Sequence, residues 1–319
     1  MIKLLHLIND SSVERGGAQK VLARLNLIED SLDYVCSSVF SIDWITEQSS
    51  LKQFRGGFFW FFKVFWVLLI KRPHVVVLHS RIYLPLTPFF RLLGCKVVFY
   101  CHAHYRKMPY FFKIFLCDFY IAVSNSVSLF LKAYVRPELV VVNYNPVVQS
   151  FSGLNERSNP FTLNYVGSLH SWKGVDLFLG FLSDYCESRG LKAQVKIVGD
   201  GPLKHQLESM ELSEKLTVCM LGYCKQPYSV LNTSDVQVIP SLEEGFGMVA
   251  VEAVQCGSPL LHTKLPALKE VVGEDPFSFS YDPYDFDDFS DSLDRLVARV
   301  GEGVDVIQME NRSADSISR

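Results

Sequence analysis

No stretch of the 319 residues stays apolar for the roughly 20 positions that a membrane-spanning helix requires; the longest run, residues 58–70 (FFWFFKVFWVLLI), has 13 and includes Lys63. A spanning segment is not expected. The eight cysteines (Cys36, Cys95, Cys101, Cys117, Cys186, Cys219, Cys224 and Cys256) contain no CxxC pair, and the nearest spacings lack a second matching pair, which argues against a zinc site. Several lie in strand-like runs such as VVFYC and LTVCM, so buried free thiols in a reducing compartment are expected rather than disulfides. No G-x-G-x-x-G follows the first apolar run, and Val198-Gly-Asp-Gly-Pro202 continues wrongly for one, which disfavours a dinucleotide-dependent dehydrogenase. The chain has no short-period repeat and no low-complexity tract. Its opening segment, MIKLLHLIND, is too briefly apolar for a secretory signal and reads as a first strand.

Acidic residues are scarce in one region. Residues 51–120 hold 11 Lys and Arg against a single acid, Asp118, together with 20 of the chain's 42 aromatic residues. The imbalance extends to the halves: residues 1–150 carry net +8 and residues 151–319 net −11, which nearly cancel to −3. With 49% hydrophobic and 20% charged residues the chain is not of the disordered class. A prior of about 150 residues per domain suggests two domains.

Short apolar runs alternate with helix-length segments throughout: IKLLHLI, YVCSSVF, HVVVLH, KVVFYC, FYIAVS and LVVV, then TLNYVG, AQVKIVG, LTVCML, VQVIP and SPLLH. Strands that show no polar alternation are those covered by helices on both faces, so the pattern implies α/β domains with parallel, doubly wound sheets. Residues 145–160 (NPVVQSFSGLNERSNP) lack apolar periodicity and form the expected linker, dividing the chain into domains 1–150 and 151–319. The run 58–70 is expected as a helix packed on its sheet, or one whose aromatic edge lies in a membrane interface.

In such sheets ligands bind beyond the carboxyl ends of the strands. After VQVIP comes PSLEEGFGMVAVEA, where Gly245 and Gly247 allow close backbone approach and residues from Met248 read as a helix start, whose free N–H groups suit a diphosphate. Glu244 precedes this loop and Glu252 follows eight positions on; carboxylates hydrogen-bond sugar hydroxyls well. After TLNYVG, Lys173 offers a counter-charge for phosphate. Gly16 and Gly17 form a turn after the first strand, and Cys101-His102-Ala103-His104 follows KVVFYC; with no third ligand evident, contact with substrate or a structural role is expected of His102 rather than metal binding. Asp285-Phe-Asp287-Asp288 reads as a solvated helix face, not a metal site.

GGAQKVL, YVGSLHSWKG, IVGDGP and above all PSLEEGFGMVAVEAVQCGSP resemble the GT-B retaining glycosyltransferases called family 4, with its E-x7-E spacing. The resemblance implies two Rossmann-like domains facing a cleft, a nucleotide sugar held by the second and an acceptor by the first, and transfer with retention. It makes Glu252 the ribose ligand, Glu244 the contact beside the reacting carbon, and Gly245, Phe246 and Gly247 the cradle of diphosphate and sugar. Lys173 would neutralise the leaving diphosphate, Gly17 would face it, and His102 would touch sugar or acceptor. One donor-binding position departs: where relatives commonly carry Arg after the strand-ending glycine, Gly167 is followed by Ser168, so Lys173, backbone N–H groups or another basic side chain must compensate for the missing charge.

The expected activity is metal-independent glycosyl transfer from a UDP- or GDP-sugar, with no further cofactor and no nucleic-acid partner. Its expected setting is surface polysaccharide assembly (O-antigen, capsule or lipopolysaccharide) on a lipid-linked acceptor. The protein would be cytoplasmic and peripheral at the inner face of an anionic membrane, held through residues 51–120. The alternatives are a sugar-nucleotide epimerase of the same fold, or a non-catalytic sugar-binding scaffold.

Overall fold

A computed structural model of the chain describes residues 2–9, 17–32, 35–41, 54–55, 60–147, 161–229, 231–232 and 235–301. Gly16 and most of the expected linker lie outside them. The chain divides into two compact units, Met1–Pro146 and Val147–Arg319.

The first unit runs β1 (Ile2–Ile8), α1 (Gly17–Asp30), β2 (Val35–Cys36), β3 (Val39–Ser41), β4 (Phe54–Arg55), α2 (Trp60–Lys71), β5 (Val75–Leu78), α3 (Thr87–Leu92), β6 (Lys96–Cys101), α4 (Phe111–Ile114), β7 (Phe119–Ala122), α5 (Asn125–Lys132) and β8 (Val140–Val142). The second runs β9 (Phe161–Val166), α6 (Val175–Arg189), β10 (Ala193–Val198), α7 (Lys204–Glu208), β11 (Leu216–Gly222), β12 (Val236–Ile239), α8 (Met248–Gln255), β13 (Leu260–Thr263), α9 (Pro266–Val272), β14 (Ser278–Tyr281) and α10 (Phe286–Gly301).

Both sheets are parallel. The first has the order β4-β3-β1-β5-β6-β7-β8, with β2 also beside β1; the second has β11-β10-β9-β12-β13-β14. Parallel neighbours need crossover connections, and the apolar runs in the sequence become buried strands because helices lie between them in the chain. Leu5, Leu7, Val76, Leu78, Val97 and Phe99 in the first unit, and Leu163, Val195, Ile197 and Val238 in the second, are buried. In each sheet the chain first builds outward on one side of its opening strand and then crosses to the other. The crossing falls between β1 and β5 in the first sheet and between β9 and β12 in the second. Those are the topological switch points, where the loops diverge and leave a crevice for a ligand.

Helix α2 meets the expectation for residues 60–70; residues 58 and 59 lie outside the described ones. Val64, Val67 and Leu68 are buried, whereas Phe61, Phe62, Phe65, Trp66, Leu69 and Ile70 are exposed. Phe65 rests against Phe89 of α3, with ring centroids 5.5 Å apart. All eight cysteines are free; Cys95, Cys101, Cys117, Cys186 and Cys256 are buried, but Cys36 is exposed. The aspartates near α10 serve its start: Asp285 accepts the Asp288 N–H at 3.1 Å, and Asp288 binds Lys264 Nζ at 2.7 Å.

At the second switch point two loops press together. Gly174, which ends the loop after β9 and starts α6, has φ 61°, and a Cβ built there would stand 2.2 Å from the Pro240 carbonyl oxygen that follows β12. The Trp172 carbonyl accepts N–H groups from Leu242 at 2.8 Å and Glu243 at 3.3 Å, stitching the two loops by backbone alone. Gly174→Ala combines left-handed strain with a backbone collision. It is expected to lower unfolding free energy by more than about 2 kcal/mol, read as a shift in urea midpoint; an unchanged midpoint would contradict this account of the contact.

Candidate functional site

The stitched loops bring Lys173 and Glu244 together. Lys173 Nζ donates to Glu244 Oε1, which also accepts from Ser241 Oγ at 3.0 Å. Ser241 is in turn held through its carbonyl, which accepts from Thr263 Oγ1 at the end of β13 at 2.6 Å. The pair is partly shielded, with side-chain exposures of 22% for Lys173 and 14% for Glu244, so the charges are screened less than on an open surface yet remain reachable.

Directly after Glu244, Gly245, Phe246 and Gly247 are buried and lead into α8. Gly247 stands at the helix N-cap with φ 89°, a left-handed turn from which α8 starts, and the first N–H groups of a helix have no intrahelical partner. Glu252 lies in the second half of α8 and is buried at 4% exposure, far more covered than the charged pair. Burial first, then the charge of Glu252, pushes the Tyr228 phenol well above its usual range, and its hydroxyl is buried without a hydrogen-bond partner.

Ser168, where relatives in the resembled family carry Arg, is part of a folded-back loop. The Tyr165 hydroxyl donates to the Ser168 carbonyl at 2.9 Å, and burial together with the Glu244 charge raises that phenol. His170 stacks on the half-exposed Trp172 with centroids 4.1 Å apart. The sequence reading had named Lys173, Glu244, Ser168, Gly245, Phe246, Gly247 and Glu252 around this loop pair. It missed Ser241 and Tyr165, which bond three residues along their own loops, and Thr263 and Tyr228, which act on segments more than twenty residues away.

The first unit carries a different constellation. His6 of β1, His79 just after β5 and His102 just after β6 form a row across neighbouring strands. His6 Nδ1 lies 3.0 Å from His79 Nε2, and His79 Nδ1 lies 2.9 Å from His102 Nε2. Beyond His6, Glu29 of α1 places Oε2 at 3.0 Å from His6 Nε2. The Tyr100 ring stacks on both His79 and His102, at 5.3 and 4.7 Å between centroids. At the far end, His102 Nδ1 is buried and has no hydrogen-bond partner among the described residues, although part of the residue remains exposed. A buried polar atom left unpaired costs about 1–3 kcal/mol. His104 turns elsewhere, to Ser126 Oγ at 3.0 Å, so the His-x-His pair does not converge on one point. Gly17 opens α1 at an exposed position. Among the described residues, no group of three or more His, Cys, Asp or Glu is placed to hold a metal ion.

Residues 149–302 match the family model of glycosyl transferases, group 1. That match supports a glycosyltransferase. An uncharacterized glycosyltransferase of Methanocaldococcus jannaschii is 28% identical over 174 residues, 52% of this chain and 46% of that protein. The chain thus spans less than half the length of the curated relatives it matches. Among solved structures, the lipopolysaccharide outer core galactosyltransferase WaaB superposes with a TM-score of 0.72 at 20% identity, covering 99% of both chains. Anabaena HepE in complex with UDP-glucose gives 0.66 at 16% identity and covers 100% of both. Likenesses at these identities show the fold, which is that of the GT-B glycosyltransferases.

Burial sets the protonation of His79 and His102. It lowers His102 to about 3, and burial, then the neighbouring His102 and His6, lowers His79 well below 6.5. An unfolded histidine titrates near 6.5, so below that pH the unfolded chain takes up protons that the folded row refuses. Stability gained by keeping these rings neutral is complete above pH 6.5 and is lost as pH falls below it, for His102 down to about 3, by up to about 1.4 kcal/mol per pH unit for each proton refused. Urea midpoints measured from pH 7 to 5 should fall, and fall less steeply in His102→Asn; equal slopes in both proteins would contradict the assignment.

Proposed function

We propose that the chain is a retaining glycosyltransferase that moves a sugar from a UDP- or GDP-sugar to a lipid-linked glycan in surface polysaccharide assembly, without a metal. The observation that carries this reading is the Lys173 and Glu244 pair at the second switch point, immediately before the glycine loop that opens α8. Breaking the bond between the anomeric carbon and the diphosphate builds negative charge on phosphate and positive charge on the sugar ring. Lys173 and the N–H groups opening α8 would offset the first, and Glu244 would hold a sugar hydroxyl beside the second. Glu252 would take the ribose and Phe246 would help shape the sugar cradle, while Ser168 would line the donor by backbone. The acceptor attacks on the face the diphosphate leaves, and the departing phosphate takes its proton.

The E-x7-E spacing, the family match over residues 149–302 and the nucleotide sugar bound by HepE support the donor class. The lipopolysaccharide transferase WaaB and the O-antigen biosynthesis glycosyltransferase WclY of Escherichia coli, 28% identical over 109 residues, support the setting. The first unit supplies the acceptor side, with His102 touching sugar or acceptor.

A cytoplasmic, membrane-peripheral location rests on helix α2. Its exposed Phe61, Phe62, Phe65, Trp66, Leu69 and Ile70 lie in the region with 11 basic residues and one acid, the combination that an anionic bilayer attracts. Each basic residue near such a surface contributes about 1 kcal/mol. No helix among the described residues is long and apolar enough to cross a membrane.

Two experiments test the reading. A panel of nucleotide sugars should reveal the donor by thermal shift, since ligand at about 100 times its Kd adds about 2.7 kcal/mol. With that donor and a lipid-linked acceptor, Glu244→Ala should lose transfer by more than about 100-fold while keeping its urea midpoint. Full activity in the variant would remove Glu244 from its role, and rapid conversion of the nucleotide sugar without acceptor would favour an epimerase. Separately, cell lysis at low salt should leave the protein with membranes and high salt should release it. Complete recovery in the soluble fraction at low salt would refute the membrane assignment.

A further inference from the structure

The histidine row of the first unit has a direction, and one residue sets it. A carboxylate offers lone pairs and no proton, so at the Glu29 contact His6 must donate through Nε2. A neutral His6 then has a bare Nδ1, which accepts from His79 Nε2 at 3.0 Å. His79 Nδ1 is bare in turn and accepts from His102 Nε2 at 2.9 Å. Nothing remains for His102 Nδ1 but a lone pair, and that atom has no partner. With His6 neutral, reversing the row would set a lone pair of His6 against the carboxylate at 3.0 Å.

We propose that Glu29, acting through His6 and His79, fixes His102 in its Nε2–H form and so keeps the Nδ1 lone pair as an acceptor for a ligand hydroxyl on the first unit. Glu29, His6 and His79 are positioning residues; His102 is the group that meets the ligand. Three observations independent of any ligand carry this: the spacing of the row, the acceptor-only group at one end, and the unpartnered nitrogen at the other. Burial of His79 and His102 keeps both rings neutral, as the alternation of donor and acceptor requires. The chemistry selected is a hydroxyl donor, since a bare carbonyl or a phosphate oxygen would face the lone pair with another lone pair. Naming that hydroxyl as one of a sugar rests on the proposed function; the direction of the row does not.

The test is long-range ¹⁵N correlation of the imidazole rings in the full-length protein labelled with ¹⁵N-histidine, at pH 7 and without ligand. Single substitutions at His6, His79 and His102 assign the signals. The expected result is the Nε2–H tautomer at all three positions in the wild type, and loss of that single pattern at His102 in Glu29→Leu, where reversal is no longer opposed. A proton on His102 Nδ1 in the wild type overturns the proposal, and needs no variant to fold. An unchanged His102 tautomer in a folded Glu29→Leu also overturns it. The outcome is separable from the question of activity: a correct tautomer pattern without sugar transfer leaves the row standing and removes the proposed function, whereas transfer with the opposite tautomer does the reverse.

Discussion

The second unit depends on one close backbone approach, that of Gly174 to the Pro240 carbonyl. With no side chain at 174, the loop after β9 can lie directly on the loop after β12, and the Trp172 carbonyl then takes two N–H groups from the facing chain. Backbone contacts of this kind do not rotate as side chains do, so they fix the origin of both Lys173 and Glu244 to within small tolerances. Ser241 and Thr263 extend the same bracing to β13. A charged pair held in this way needs little reorganisation to act on a ligand, which is where preorganised electrostatics derives its effect.

The two units share a topology but present opposite chemistry at their switch points. The second offers charge: a lysine, a carboxylate and the N–H groups of a helix start. The first offers a neutral row of aromatic nitrogens ending in a bare lone pair. On the proposed reading the division is economical, because the leaving diphosphate needs positive charge while a sugar hydroxyl needs an acceptor that does not compete for it. It also dissolves the puzzle of the charge split, net +8 against −11. On that reading the acidic half would bind its anion through local geometry, while the basic excess lies in the region of the exposed aromatic residues of α2.

Most of the fold was legible because parallel, doubly covered strands write themselves as unbroken apolar runs. Every run read as a strand in residues 1–147 and 161–263 became one, with YVCSSVF divided into β2 and β3. Strands β4 and β14 were not read: the first has two residues, and the second, SFSY, alternates polar with aromatic residues at the sheet edge. For the site, Glu244, Glu252 and Lys173 stood out through their motif, whereas Ser241, Thr263 and Tyr165 carry no pattern of their own. The histidine row was invisible for a physical reason. His6 and His79 are 73 positions apart, and only parallel pairing of β1 with β5 and of β5 with β6 aligns them with His102.

At position 168 the loop after β9 offers a serine and no cation. Tyr165 turns back beneath that loop and bonds the Ser168 carbonyl, so the positive charge beside the glycine loop comes from Lys173. That charge is paired with Glu244. On the proposed reading, an arriving diphosphate carries more negative charge than one carboxylate and draws Lys173 to itself. Glu244 is thereby freed, still anchored by Ser241 Oγ, to accept hydroxyls of the sugar that arrives with that diphosphate. Donor binding and presentation of the carboxylate become one event, and a free sugar, lacking the diphosphate, would find Glu244 still engaged.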